Sequence, residues 1–247
     1  GFRDLIGCKE RSMAKKTSLS SVGPVYKVGS SELFFLVMVS FSKKVICNHL
    51  RLGYAVFFRS EIILMSTNPV VLNTQRWVHE FIIGHNICPF AKKEVEKGSI
   101  HYEVYDGKQM EDALCCLMGL CRKLDEDDEI EAAMFITPNG FSEFEEYLDL
   151  LDVANGLLVQ QDYEGIYQLA SFHPDYCFEG VDKADASHYT NRSPYPMLHI
   201  IREEGLEKVL ERYPNPEAIP ERNITYCQEL GVDALKEILK NCQKSGD

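Results

Sequence analysis

The stretch Ile100–Thr137, IHYEVYDGKQMEDALCCLMGLCRKLDEDDEIEAAMFIT, decides the fold class. Residues 100–105 alternate polar and apolar as a strand does. Lys108 to Leu124 then switches to helical spacing, with Met110, Leu114, Leu117 and Cys121 on one face. The acidic run at 125–129 reads as a solvated turn, and Ile130 to Thr137 as a second strand.

The same alternation continues outward. Pro138-Asn139-Gly140 is a turn, and Ser142 with Glu145 forms an S-x-x-E box entering a helix through Leu158. Ile166–Phe172 and Met197–Arg202 are the third and fourth strands, and helices follow near 205–212, 217–230 and 233–242, the last capped by Asp233. Upstream, Trp77, Phe81 and Ile82 recur at turn spacing in a helix from Thr74 that Gly84 stops. In HNICPFAKKEVEKG, Pro89 suits a first helical position, with Cys88 at the cap. This order predicts an α/β (α+β sandwich) fold: a single mixed sheet of about four strands with helices packed against it.

Charge divides the chain. Residues 1–64 hold ten Lys/Arg against four Asp/Glu, so the net charge of −12 resolves into +6 there and −18 beyond. MSTNPVVLNTQRW at 65–77 resembles a translation start followed by a helix entry. The expectation is a non-domain extension over 1–64 and a single globular domain over 65–247. A cytoplasmic location follows, or an organellar one if 1–64 is a presequence. An acidic body repels nucleic-acid phosphates and anionic membranes, so neither is an expected partner. The apolar patches at 33–41 and 54–58 fall well short of the roughly 20 residues of a spanning helix.

Nine cysteines without a CxxC pair fit free thiols in a reducing compartment, and no metal site is assigned. No Gly-rich phosphate loop, dinucleotide fingerprint or HExxH motif points to a cofactor, which stays open, as does the oligomeric state.

Chemistry concentrates between the third and fourth strands, in SFHPDYCFEGVDKADASHYTNRSPYPMLHIIRE at 171–203. His173 and Asp175 follow a strand end, where ligand crevices of α/β sheets open, and could act as acid and base. They equally make good turn chemistry. Tyr176 is a hydrogen-bonding wall or a core edge. In Asn191-Arg192-Ser193-Pro194-Tyr195-Pro196 the prolines stiffen the backbone and present Arg192, either to a small anionic ligand or to an internal carboxylate such as Glu179, Asp182 or Asp185. Strand alternation sends His199 with Ile201 to one face, and Leu198, Ile200 and Arg202 to the other. Cys88 at a helix N-terminus would have its thiolate favoured, with His85 as a proton acceptor, or it is a buried cap.

ICPFA at 87–91, ASFHPDYCF at 170–178, YTNRSPYPMLHIIRE at 189–203 and IPERN at 219–223 together resemble a bacterial family of unknown function, domain-of-unknown-function family 1415. The resemblance spans Thr74 to about Gly231 and implies no activity. The residues alone favour an enzyme acting on a small anionic substrate. Its catalytic candidates are Cys88, His173 and Asp175, and its binding candidates Tyr176, Asn191, Arg192, Ser193, Tyr195 and His199. The alternatives are a non-catalytic binding module and a metal-dependent hydrolase built on His173, Asp175 and His199.

Overall fold

In a computed structural model, which describes residues 68–243, two sheet-forming halves meet at an inserted antiparallel strand. The strands are β1 (Ile100–Val104), β2 (Ala132–Ile136), β3 (Tyr167–Phe172) and β4 (Met197–Arg202), in spatial order β1-β2-β4-β3. β1 and β2 run parallel, and β4 lies antiparallel to both β2 and β3. β1, β2 and β3 therefore point the same way, and β4 fills the gap between β2 and β3. This is the mixed sheet expected from the sequence. The expectations for residues 1–64, and for the start at Met65, lie outside the described residues.

Helices cover both faces. On one, α3 (Met110–Glu126) and α4 (Phe144–Gln160) pack Leu117, Cys121, Leu124, Tyr147, Leu150 and Ala154 against Ala133, Phe135, Leu198 and Ile200. On the other, α1 (Pro69–Trp77) continues without a break into a π-helical turn at Val78–Ile83. Trp77, Phe81 and Ile82 from this element meet Met134, Ile136 and Met197, together with Cys227 of α6 (Ile219–Leu230) and Leu235 and Cys242 of α7 (Val232–Cys242). Two short helices, α2 (Ala91–Lys97) and α5 (Glu203–Leu210), complete the chain order. Every β2 side chain is buried because both layers close over it.

Several boundaries moved for local reasons. α1 begins at Pro69 rather than Thr74, since Asn68 accepts the Val70 N–H and Pro69 supplies the fixed φ of a first helical residue. The N-cap of α4 is Glu143, without a side-chain cap bond, so Ser142 stands one residue before the cap position expected for it. Gly231 precedes α7, and Asp233 lies inside its first turn instead of capping it. Ala91 opens α2, so Pro89 is two residues outside it.

At the far end of the sheet Arg202 ties β4 to the C-terminus of α3. Its guanidinium donates to the carbonyls of Leu124, Ile130 and Asp127, and to the Tyr167 hydroxyl. A cation beside these terminal carbonyls also complements the helix dipole. Asp125 in turn accepts from the hydroxyls of Tyr163 (2.7 Å) and Tyr167 (2.8 Å).

Candidate functional site

The connection between β3 and β4, residues 173–196, springs from the carboxyl ends of the parallel strands, where the sequence placed a site. The pair Phe172–Met197 closes its base. Thr137, just past β2, donates both its N–H and its hydroxyl to the Pro196 carbonyl. The Tyr147 hydroxyl of α4 donates to the Met197 carbonyl at 2.9 Å and accepts the Phe172 N–H at 3.0 Å, pinning both strands at the mouth of the loop.

Inside the loop almost every polar group has a backbone partner. His173 is fully buried between the rings of Phe144 (5.2 Å) and Tyr147 (5.1 Å). Its Nε2 lies 3.0 Å from the Phe141 carbonyl, so that nitrogen carries the proton, while Nδ1 accepts the Asp175 N–H at 3.0 Å. Burial lowers its pKa, partly offset by the Phe141 carbonyl, and the ring is neutral at pH 7. Asp175 itself is exposed and contacts His173 through its backbone N–H. A turn joins the two residues, with neither ring nitrogen left over for proton transfer or metal ligation.

The other loop candidates follow the same pattern. Asn191 donates to the Ser171 carbonyl at 3.1 Å and accepts from Thr190 at 3.0 Å. Ser193 donates to the Tyr195 carbonyl at 2.7 Å, and the Tyr195 hydroxyl accepts from Asn73 of α1 at 2.9 Å. Tyr176 is buried edge-on to Phe144 and Phe178. His188 accepts the Phe178 N–H on Nδ1 and meets the Asp182 carbonyl through Nε2 at 2.7 Å.

Arg192 differs. Its Nε donates to the Tyr176 carbonyl at 3.2 Å and its guanidinium lies 4.6 Å from the centre of the Tyr189 ring. Among the described residues it forms no ion pair. Two of the three expected carboxylate partners are engaged locally: Asp182 accepts the Ala184 N–H, and Asp185 accepts from Ser187 and Gln228. Those bonds also hold the Asp185 carboxyl below its ordinary pKa, its own Ser187 N–H contributing most.

Cys88 does not meet His173: it packs with the core on the α1 side of the sheet, the cluster that also takes in Tyr189 and Tyr195 of the loop, whereas His173 packs against Phe144 and Tyr147 on the α4 side. The expectation of a lowered thiol pKa is corrected: burial raises it, outweighing the Phe90 and Ala91 N–H groups and Arg222. His85 is bonded elsewhere, to the Tyr226 hydroxyl at 2.5 Å.

His199 also lies apart from the loop. It projects from the middle of β4 onto the α1 side, as alternation predicted, with its ring 6.3 Å from that of Phe172. Its Nε2 is buried without a hydrogen-bond partner, and so are Trp77 Nε1 and Gln168 Nε2. Burial pulls the His199 pKa down to about 4 and pushes that of Tyr102, on the same sheet face, up to about 12. Each unsatisfied buried polar group costs about 1–3 kcal/mol.

Sequence reading missed Gln168 and Tyr102. The signal was present for Gln168, a polar residue alternating into the buried face of the strand YQLASF, in register beside Ile201 and one step from His199.

No group of His, Cys, Asp and Glu among the described residues is arranged to hold a metal ion. No helix of the described residues is long and apolar enough to cross a membrane. Residues 69–237 match the family described as "Protein of unknown function (DUF1415)". The chain belongs to this family. The DUF1415 match runs from the first residue of α1 into α7 and takes in every candidate residue from Cys88 to His199. No curated protein and no solved structure matched the chain.

Proposed function

We propose that this DUF1415 protein is a binding module for a small oxyanion-bearing molecule, a carboxylate or phosphate, received at Arg192. The observation that carries this reading is the combination of a braced guanidinium with no ion-pair partner among the described residues and neighbouring acids already bonded elsewhere. A planar guanidinium held in one orientation is suited to bidentate recognition of an oxyanion. An enzyme on the same loop remains the second reading. It has less support, because His173 has both nitrogens bonded to backbone and Cys88 packs on the other side of the sheet.

Calorimetric titration of the full chain with phosphate and with succinate tests the proposal. Saturable binding is expected, weakened about tenfold or more in Arg192→Ala, the worth of a charge-assisted hydrogen bond. The anion should be recovered unchanged by mass analysis. Equal affinity in Arg192→Ala, or no binding of either anion, contradicts the proposal, and conversion of the anion would establish the enzyme reading in its place.

A further inference from the structure

The α1-side face of the sheet has a second concentration of polar groups, unlike the loop in that its atoms lack partners. Strand register fixes the arrangement. One row across the sheet is Tyr102, Met134, His199 and Ala170, and the adjacent row is Ile100, Ala132, Ile201 and Gln168. His199 and Gln168 are thus diagonal neighbours on one face, a spacing of about 7–8 Å. On the other side of His199 stands Phe172, and the Trp77 ring meets Phe172 edge-on at 5.2 Å. Trp77, His199 and Gln168 are the three residues with a buried, unpartnered side-chain nitrogen among the described residues. That all three fall on one face, around the β3–β4 pair, is what requires an explanation. Native cores keep few such atoms.

We propose that this face, with His199 and Gln168 as its floor and Trp77 at its border, binds a small uncharged molecule with an apolar body and a carbonyl oxygen. The chemistry of the three groups selects the ligand. An indole N–H can only donate, a glutamine amide donates through its nitrogen, and a neutral imidazole in its Nε2–H tautomer donates as well, so an acceptor oxygen is the group that all three can share. Charge is disfavoured because none of the strand residues that form this face is Lys, Arg, Asp or Glu, so an ion there would have no counter-charge from the sheet. A buried ion without a counter-charge is expensive. Met134, Ala170, Phe172, Met197 and Ile201 share the sheet face with His199 and Gln168 and make the rest of it apolar. The common form of a ligand pocket is this one, mostly apolar with a few placed polar groups. The donors invoked here do not include Arg192, so failure of either proposal leaves the other standing.

Trp77 is the one tryptophan of the chain, so its indole N–H gives a single, unambiguous signal in a proton–nitrogen correlation spectrum. The full chain is titrated with benzamide and cyclohexanone, and with benzylamine as a cation that lacks an acceptor oxygen. The carbonyl probes should shift the indole signal saturably, and benzylamine should leave it in place. Gln168→Leu and His199→Leu should each weaken carbonyl binding about three- to tenfold, the range of one neutral hydrogen bond. Both variants should also melt at or above the wild-type temperature, because each removes an unpartnered buried polar group. That combination, stability kept and binding lost, separates a ligand site from a structural role. An indole signal indifferent to both carbonyl probes overturns the proposal, showing that ordered water alone serves these atoms. Variants that bind the probes as tightly as wild type overturn it equally.

Discussion

The β3–β4 loop and the sheet face around His199 both carry histidine, yet they treat it oppositely. In the loop, His173 has a carbonyl on one nitrogen and an N–H on the other, and Asn191, Ser193 and Tyr195 are likewise bonded. On the sheet face, His199 Nε2 has no partner and sits beside two other nitrogens in the same condition. A dense polar stretch is therefore no guide to chemistry by itself. When a 24-residue excursion between two strands holds a single short 3-10 helix, Ala186–Thr190, many of its backbone groups need partners, and polar side chains supply them. The sparse polar positions inside strands have no such duty.

The largest effect that would break this contrast is at His173. His173→Ala removes two hydrogen bonds and opens a cavity between Phe144 and Tyr147, and should cost about 4 kcal/mol by denaturant unfolding. A variant as stable as wild type would return His173 to the catalytic candidates. The next effect is acid sensitivity from the other region. An unfolded histidine takes up a proton below about 6.5, whereas folded His199 does so only below about 4. Between these values the unfolded state binds more protons, so stability is full above pH 6.5 and falls by about 3 kcal/mol as pH drops towards 4. His199→Leu should flatten that part of the stability profile, and an unchanged slope would show that the ring is not desolvated. The lowered pKa of His173 acts with the same sign, so a residual slope is expected in the variant.

A smaller effect sharpens the account of the loop mouth. Tyr147→Phe leaves the Phe172 N–H and the Met197 carbonyl without their shared hydroxyl, and should cost about 2 kcal/mol in the same unfolding assay. Smallest of all, Asp175→Asn should change stability by less than about 0.5 kcal/mol, because the exposed side chain is not the group that binds His173.

The fold was legible to the extent that periodicity sets it. The strand-helix-strand pattern over 100–137 and the exact limits of β4 follow from alternation and helical spacing, and the face assignment of His199 follows from the two-residue period. Capping was less legible, since Ser142 and Asp233 have the right chemistry at the wrong helical positions, and Asn68-Pro69 has the right chemistry upstream of Thr74, where the helical spacing becomes visible. The site was the least legible. Sequence names the polar groups but not their partners, and whether His173 moves a proton or holds a turn depends on the Phe141 carbonyl, 32 residues away. The separation of Cys88 from His173 was hidden for a similar reason, because the side of the sheet on which α2 packs is set by tertiary contacts.

One measurement reaches both regions at once: a long-range proton–nitrogen spectrum of the histidine rings, recorded with and without benzamide. At pH 7 His173 should appear as a single Nε2–H tautomer, indifferent to the ligand, while the nitrogens of His199 shift as benzamide binds. A His173 ring that titrates near 6.5, beside a His199 ring that ignores the ligand, would contradict the account.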